Sequence, residues 1–143
     1  MTTPTETIQE FMDVFASAWA NRDAARVASF FSEDAVYHNI PMDPVQGRDA
    51  ITATVAGFMT MGGHVTVDIR HIVAAGAVVM VERVDHFVGT ERTIDLPVVG
   101  VFEVHDGKIT AWRDYFDSGK LADQFAAPQI EPSADKQVRN PWL

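Results

Sequence analysis

The sequence predicts an α+β fold in which a curved mixed β-sheet, with N-terminal helices packed on it, forms a cone around an apolar pocket. Three observations carry this expectation. Apolar residues recur at helical spacing through the first part of the chain, the period changes to alternation at His64, and Asp106-Gly107 supplies a tight-hairpin signal between the last two strand-like runs. Helices followed by a long antiparallel meander give an arrangement in which the helices cover one face of the sheet.

The elements follow in order. Thr3, Pro4 and Glu6 have the form of a capping box with Pro at the first helical position, and Ile8, Phe11, Met12, Phe15 and Trp19 then repeat as one helical face. After Asn21-Arg22-Asp23 a shorter helical pattern carries Val27, Phe30 and Phe31 inward and should stop near Ser32-Glu33-Asp34. An extended piece from Ala35 to Ile40 precedes a turn-rich stretch with Pro41, Pro44 and Gly47. Ile51, Val55, Phe58 and Met59 describe a third helix ending near Gly62-Gly63. From His64 onward Val65, Val67 and Ile69 alternate with Thr66, Asp68 and Arg70, and the runs Ala77 to Phe87 and Thr93 to Val104 are rich in Val and Ile. Val98 to Val104 should pair antiparallel with Lys108 to Phe116. A short helical pattern through Leu121 and Phe125 then gives way to an irregular tail containing Pro128, Pro132 and Pro141.

The chain of 143 residues, 47% of them hydrophobic, suits one domain over 1–143, with 118–143 as a short helix plus tail. Eleven Lys plus Arg against 20 Asp plus Glu give a formal charge of −9, a field that repels a phosphate backbone or an anionic membrane, so no nucleic-acid partner is expected. Absence of Cys excludes disulfides, thiolate metal sites and cysteine nucleophiles. Neither a secretory signal in the first residues nor a run of about 18 apolar residues is present, which reads as a cytoplasmic protein without membrane association. His38, His64, His71, His86 and His105 form no metal-ligand motif, and the serines sit in no Gly-x-Ser-x-Gly context. No metal or other cofactor is expected.

Polar residues in strands that otherwise read as core are the informative feature. In the run from Val79 to Phe87, side chains two apart share a face, so Val79, Val81, Arg83, Asp85 and Phe87 project together, while Met80, Glu82, Val84 and His86 form the opposite row. Either row can be the inner one by periodicity alone. The strand from Ile109 to Phe116 favours the first, because Trp112, Asp114 and Phe116 again set a carboxylate between large aromatics. Buried acids are costly unless paired, and a guanidinium is the side chain best able to bridge two of them. Upstream, Tyr37 and Asn39 share a face and offer a hydroxyl and an amide able to hold a water molecule. Tyr37 also reads as a half-buried aromatic, and Asn39 as a turn residue before Pro41.

Tyr37-His38-Asn39-Ile40-Pro41, Gly47-Arg48-Asp49-Ala50-Ile51, Glu82-Arg83-Val84-Asp85, Gly100-Val101-Phe102-Glu103-Val104 and the segment Gly107 to Asp117, which contains Trp112-Arg113-Asp114-Tyr115-Phe116-Asp117, together resemble the limonene-1,2-epoxide hydrolase family. The similarity runs from about Phe11 to Asp117. Its Gly-Arg-Asp and Gly-Lys-Ile segments are common throughout the nuclear-transport-factor-2-like superfamily, whereas Arg-Val-Asp and Trp-Arg-Asp-Tyr-Phe-Asp with Tyr-x-Asn upstream are more specific. The resemblance implies a cone fold with a deep apolar pocket, a homodimer, and cofactor-free hydrolysis of an epoxide to a vicinal diol. It further implies Asp114 as general base, Asp85 as general acid, Arg83 as their bridge, and Tyr37 with Asn39 as water holders. The chemistry is consistent with that division, since opening a neutral epoxide needs an activated water and a proton for the departing oxygen.

The expected partner is therefore a small to medium lipophilic epoxide, in a pocket lined by Phe87, Leu96, Val98, Trp112 and Phe116 through strand parity or position across the hairpin. Met12, Phe15, Trp19 and Met59 read either as core or as further pocket wall. Two alternatives share the cone: an isomerase of ketosteroid type, which Arg83 beside both acids disfavours, and a non-catalytic binding module in which the trio is a structural ion network.

Overall fold

The computed structural model describes residues 2–127. Helix α1 (Pro4–Ala20) starts at a capping box: the Glu6 amide donates to Thr3 Oγ1 at 3.1 Å, and the Thr3 amide to Glu6 Oε1 at 3.0 Å. Its buried face carries Ile8, Phe11, Met12, Phe15 and Trp19. Helix α2 (Ala24–Ala28) is capped by Asp23, and β1 (Phe31–Asn39) follows. A two-residue strand β2 (Val45–Gln46) and helix α3 (Arg48–Met59) complete the first half. The second half holds β3 (His64–Ala75), β4 (Val78–Val88), β5 (Thr93–His105), β6 (Lys108–Tyr115) and α4 (Ser118–Ala126).

The six strands form one sheet in the order β2-β1-β6-β5-β4-β3, antiparallel throughout except for the parallel β1–β6 pair. The β5–β6 hairpin turns on Asp106 and Gly107, at φ 51° and 75°, the two successive left-handed residues of a tight turn whose twist suits the strands. Register shifts that leave unpaired residues in β1, β3 and β6 bend the sheet. Helix α1 packs across β3, β4 and β5, and the core fills the space between. At its centre Phe11 meets Phe15, Phe30, Phe31, Phe102 and Trp112 at ring separations of 5.1 to 6.3 Å. Among the described residues no helix is long and apolar enough to cross a membrane.

The structure departs from the expected elements in two places, both in the first half. Helix α2 ends at Ala28, not near Ser32-Glu33-Asp34, and Phe31 already opens β1. The Phe31 carbonyl accepts two bonds from the Arg48 guanidinium, at 3.0 and 2.8 Å, and Phe31 pairs with Ile109 of β6, so tertiary partners claim backbone that the helical pattern assigned to a helix. The turn-rich stretch also contributes β2, which pairs with Val36 and Tyr37. The short helix through Leu121 and Phe125 is α4; the irregular tail expected from Pro128 onward lies outside the described residues.

Candidate active site

Strand β4 settles the question of parity. Val79, Val81, Arg83 and Asp85 are buried on the inner face, with Arg83 only 2% and Asp85 4% exposed, while Met80 stands out on the other side. His86 turns outward as well and bonds Asp95 through Nδ1 at 2.6 Å, away from the acids. On β6 the inner row holds Trp112 and Asp114, whereas Arg113 bonds Glu103 and Tyr115 is exposed. The two carboxylates converge on one guanidinium. Arg83 donates from Nε to Asp85 Oδ1 at 2.9 Å and from Nη2 to Asp85 Oδ2 at 3.2 Å. It also donates from Nη1 to Asp114 Oδ1 at 3.2 Å and from Nη2 to Asp114 Oδ2 at 2.8 Å. A third donor reaches Asp114 from its own strand, the Trp112 indole N–H, at 2.6 Å from Oδ1.

The parallel β1–β6 register brings the upstream pair to the same place, since Tyr37 lies opposite Trp112 and Asn39 opposite Asp114. The Tyr37 ring stacks on Trp112 with centroids 4.2 Å apart, and its hydroxyl donates to Asn39 Oδ1 at 3.3 Å. The Asp114 carbonyl accepts the Ile40 amide at 2.9 Å, which clamps the end of β1 against the site.

The five groups share one cavity of about 210 Å³. Apart from the indoles of Trp19 and Trp112, the polar side chains on its wall are Tyr37, Asn39, Arg83, Asp85 and Asp114; the rest of the wall is apolar. Phe87, Leu96, Trp112 and Phe116 line it, as do Phe15 and Trp19 from α1. Val98 does not. It pairs with Arg83 across the β4–β5 ladder, is buried, and borders a second, separate pocket with Leu96 and Pro97. Met12 and Met59 are packed in the core and also leave the wall to others. Met42, Phe58, Met61, Ile94, Leu121 and Phe125 complete it. Of these, Phe58 was legible as an apolar helix residue and Leu121 and Phe125 as an i, i+4 pair, but nothing in the sequence pattern said that α4 folds back over the cavity.

Burial dominates the electrostatics. Removal from water pushes the Asp85 carboxyl above its ordinary range, a shift that Arg83 opposes and Asp114 reinforces. Burial by itself would lower the Arg83 pKa, but the charges of Asp114 and Asp85 outweigh it and hold the guanidinium protonated. Burial, then the Asp114 charge, raises Tyr37, which stays a neutral hydroxyl with a proton to donate. The result is a largely apolar cavity whose polar end combines a permanent cation, two acids and two groups able to bind water.

The curved-sheet α+β fold is shared with nuclear-transport-factor-2-like and SnoaL-like proteins of known structure. A putative SnoaL-like polyketide cyclase from Shewanella putrefaciens superimposes with a TM-score of 0.73 over 88% of this chain and 87% of its own, at 19% identity, a likeness of fold alone. The chain matches the limonene-1,2-epoxide hydrolase catalytic domain over residues 2–127, and it belongs to that family. It is 38% identical over 106 residues to epoxide hydrolase EphG of Mycobacterium tuberculosis, covering 74% of this chain and 70% of that protein. The solved structure of an M. tuberculosis LEH-like epoxide hydrolase aligns with a TM-score of 0.64 and 33% identity, over 82% of this chain and 91% of that one.

Proposed function

We propose that the protein hydrolyses a lipophilic epoxide to a vicinal diol in one step, without a cofactor, by general acid and base catalysis. The observation that carries this reading is the bonding of both Asp85 and Asp114 to Arg83 within one apolar cavity that also presents Tyr37 and Asn39. Asp114 lies in register with Asn39 and beside the Tyr37–Trp112 stack, and this favours it as the carboxylate that takes a proton from water. Tyr37 and Asn39 orient that water, whose oxygen bonds to one epoxide carbon as the ring C–O bond breaks. Asp85, whose carboxyl burial raises above its ordinary range, gives its proton to the departing oxygen. A proton returning from Asp114 to Asp85 through solvent or the shared cluster restores the starting state, so the net reaction adds one water. The apolar wall, with Phe58, Phe87, Leu96 and Phe116, supports a neutral hydrocarbon-rich substrate, since a charged one would lose its hydration there without a partner.

Asp114→Asn and Asp85→Asn are each expected to lower the rate of diol formation from a cyclic epoxide by at least about 100-fold, the scale of a lost acid or base, while circular dichroism shows an intact fold. Full activity in Asp114→Asn would overturn the assignment. A β,γ-unsaturated ketone offered in parallel separates hydrolysis from isomerase chemistry. Val73, Met80, Val99 and Tyr115 expose apolar surface on strands β3 to β6, and this supports the expected homodimer. Sedimentation equilibrium should therefore return twice the chain mass of 15.8 kDa, and a monomer at all concentrations would exclude it.

A further inference from the structure

Arg83 and Asp114 are not on neighbouring strands. Arg83 belongs to β4 and Asp114 to β6, with β5 between them, and strands are spaced about 4.8 Å apart. The guanidinium must therefore pass over the backbone of β5. In register with Asp114 on one side and Val81 on the other, the residue of β5 at the crossing is Gly100. Its conformation is the ordinary extended one, so no backbone requirement excludes a side chain, and a glycine inside a strand weakens it. A Cβ at this position would stand 2.6 Å from Arg83 Nη1, 2.9 Å from Asp114 Oδ1 and 3.1 Å from Phe102 Cε1. Ordinary contacts of this kind are about 3.5–4.0 Å, so the guanidinium, the carboxylate or both would have to move by on the order of 1 Å.

We propose that Gly100 is a positioning residue of the site: the missing side chain is the channel through which Arg83 reaches Asp114, and the coupling of the two acids depends on it. Long side chains usually yield to a new methyl group by swinging aside. Here the guanidinium is buried and held by four hydrogen bonds to the two carboxylates, so any swing alters the acid pair itself. Gly100 does not line the cavity, and its effect on substrate binding is accordingly small. An isolated glycine within the apolar run Val98-Val99-Gly100-Val101-Phe102 is the signal the sequence carries for such a close approach. The inference rests on the proposed hydrolase reading for its consequence in turnover, but not for its geometry.

The test is Gly100→Ala, compared with the parent and with Gly57→Ala, an α3 position where a Cβ meets nothing within 4 Å. Carboxyl ¹³C NMR titration of Asp85 should shift in Gly100→Ala and stay unchanged in Gly57→Ala. With a cyclic epoxide, kcat should fall on the order of 100-fold in Gly100→Ala with KM altered much less, as expected for a misplacement near 1 Å. A folded Gly100→Ala with parental titration curves overturns the proposal, whatever its activity. A parent without epoxide turnover overturns the functional reading instead and leaves the titration to decide on Gly100. If Gly100→Ala does not fold, the same change is made in an Arg83→Met/Asp85→Asn/Asp114→Asn background, where the guanidinium is gone. Recovery of folding there supports the proposal, and failure there as well overturns it.

Discussion

Asp85 links the stability of the molecule to pH. Its carboxyl is raised by burial above the value it has in the unfolded chain, so folding favours its protonated form. That contribution is complete below the unfolded pKa and is lost as pH rises through the higher folded one. The urea midpoint of the parent should therefore decline relative to Asp85→Asn as pH is raised from below the ordinary carboxylate range through neutrality; a constant difference between the two would contradict this. The proposed mechanism has the same sign, because an ionised Asp85 would have no proton to give, so kcat should fall along the alkaline side. These acids were legible in the sequence for a physical reason. A carboxylate between Trp112 and Phe116, or in a row with Val79 and Val81, is too costly to bury alone, and Arg83 was the partner at hand. Val98 shares the inner face yet lies outside this cavity, because parity tells which face a side chain takes but not which pocket on that face it borders.

At the scale of elements, α4 is held over the cavity by a side chain acting as a strand. Strand β6 leaves β5 at the Val99–Tyr115 pair, and beyond it the edge of β5 is open. The Gln124 amide fills part of that edge, donating from Nε2 to the Asp95 carbonyl and accepting the Asp95 amide at Oε1, both at 2.8 Å. Arg92 adds bonds to the Gln124 and Phe125 carbonyls at the end of the helix. No residue of α4 is buried, so these polar contacts and the two wall residues Leu121 and Phe125 are what seat it. Gln124→Ala should raise KM for an epoxide by about tenfold, the worth of one or two hydrogen bonds, with the thermal midpoint nearly unchanged. An unaltered KM would show that the helix does not depend on this clamp. Long helices and the hairpin were readable from period and turn chemistry, since local patterns determine them. The start of β1 and the whole of β2 were not, because the Arg48–Phe31 contact and the pairing with β6 belong to residues far apart in sequence.

Across the whole molecule, one aromatic cluster joins the helical layer to the sheet that carries the candidate site. Phe11 is fully buried and its ring touches both Phe15 and Trp112, which line the cavity. Phe11→Ala should cost about 3–5 kcal/mol of stability in urea unfolding, the range for emptying such a site. It should also lower turnover in the protein that remains folded, because the Trp112 indole that donates to Asp114 loses its support. A loss below about 1 kcal/mol would mean that the cluster collapses around the gap without cost to the site. The parallel seam between β1 and β6 has a different consequence, one of assembly order. Everything from β2 to β5 lies between Asn39 and Asp114 in the chain, whereas the contacts linking β3 to β6 join successive hairpins. Closing a long loop is slower than zipping adjacent strands. On refolding, the Arg83–Asp85–Asp114 cluster is therefore expected to form before Tyr37 and Asn39 dock beside it.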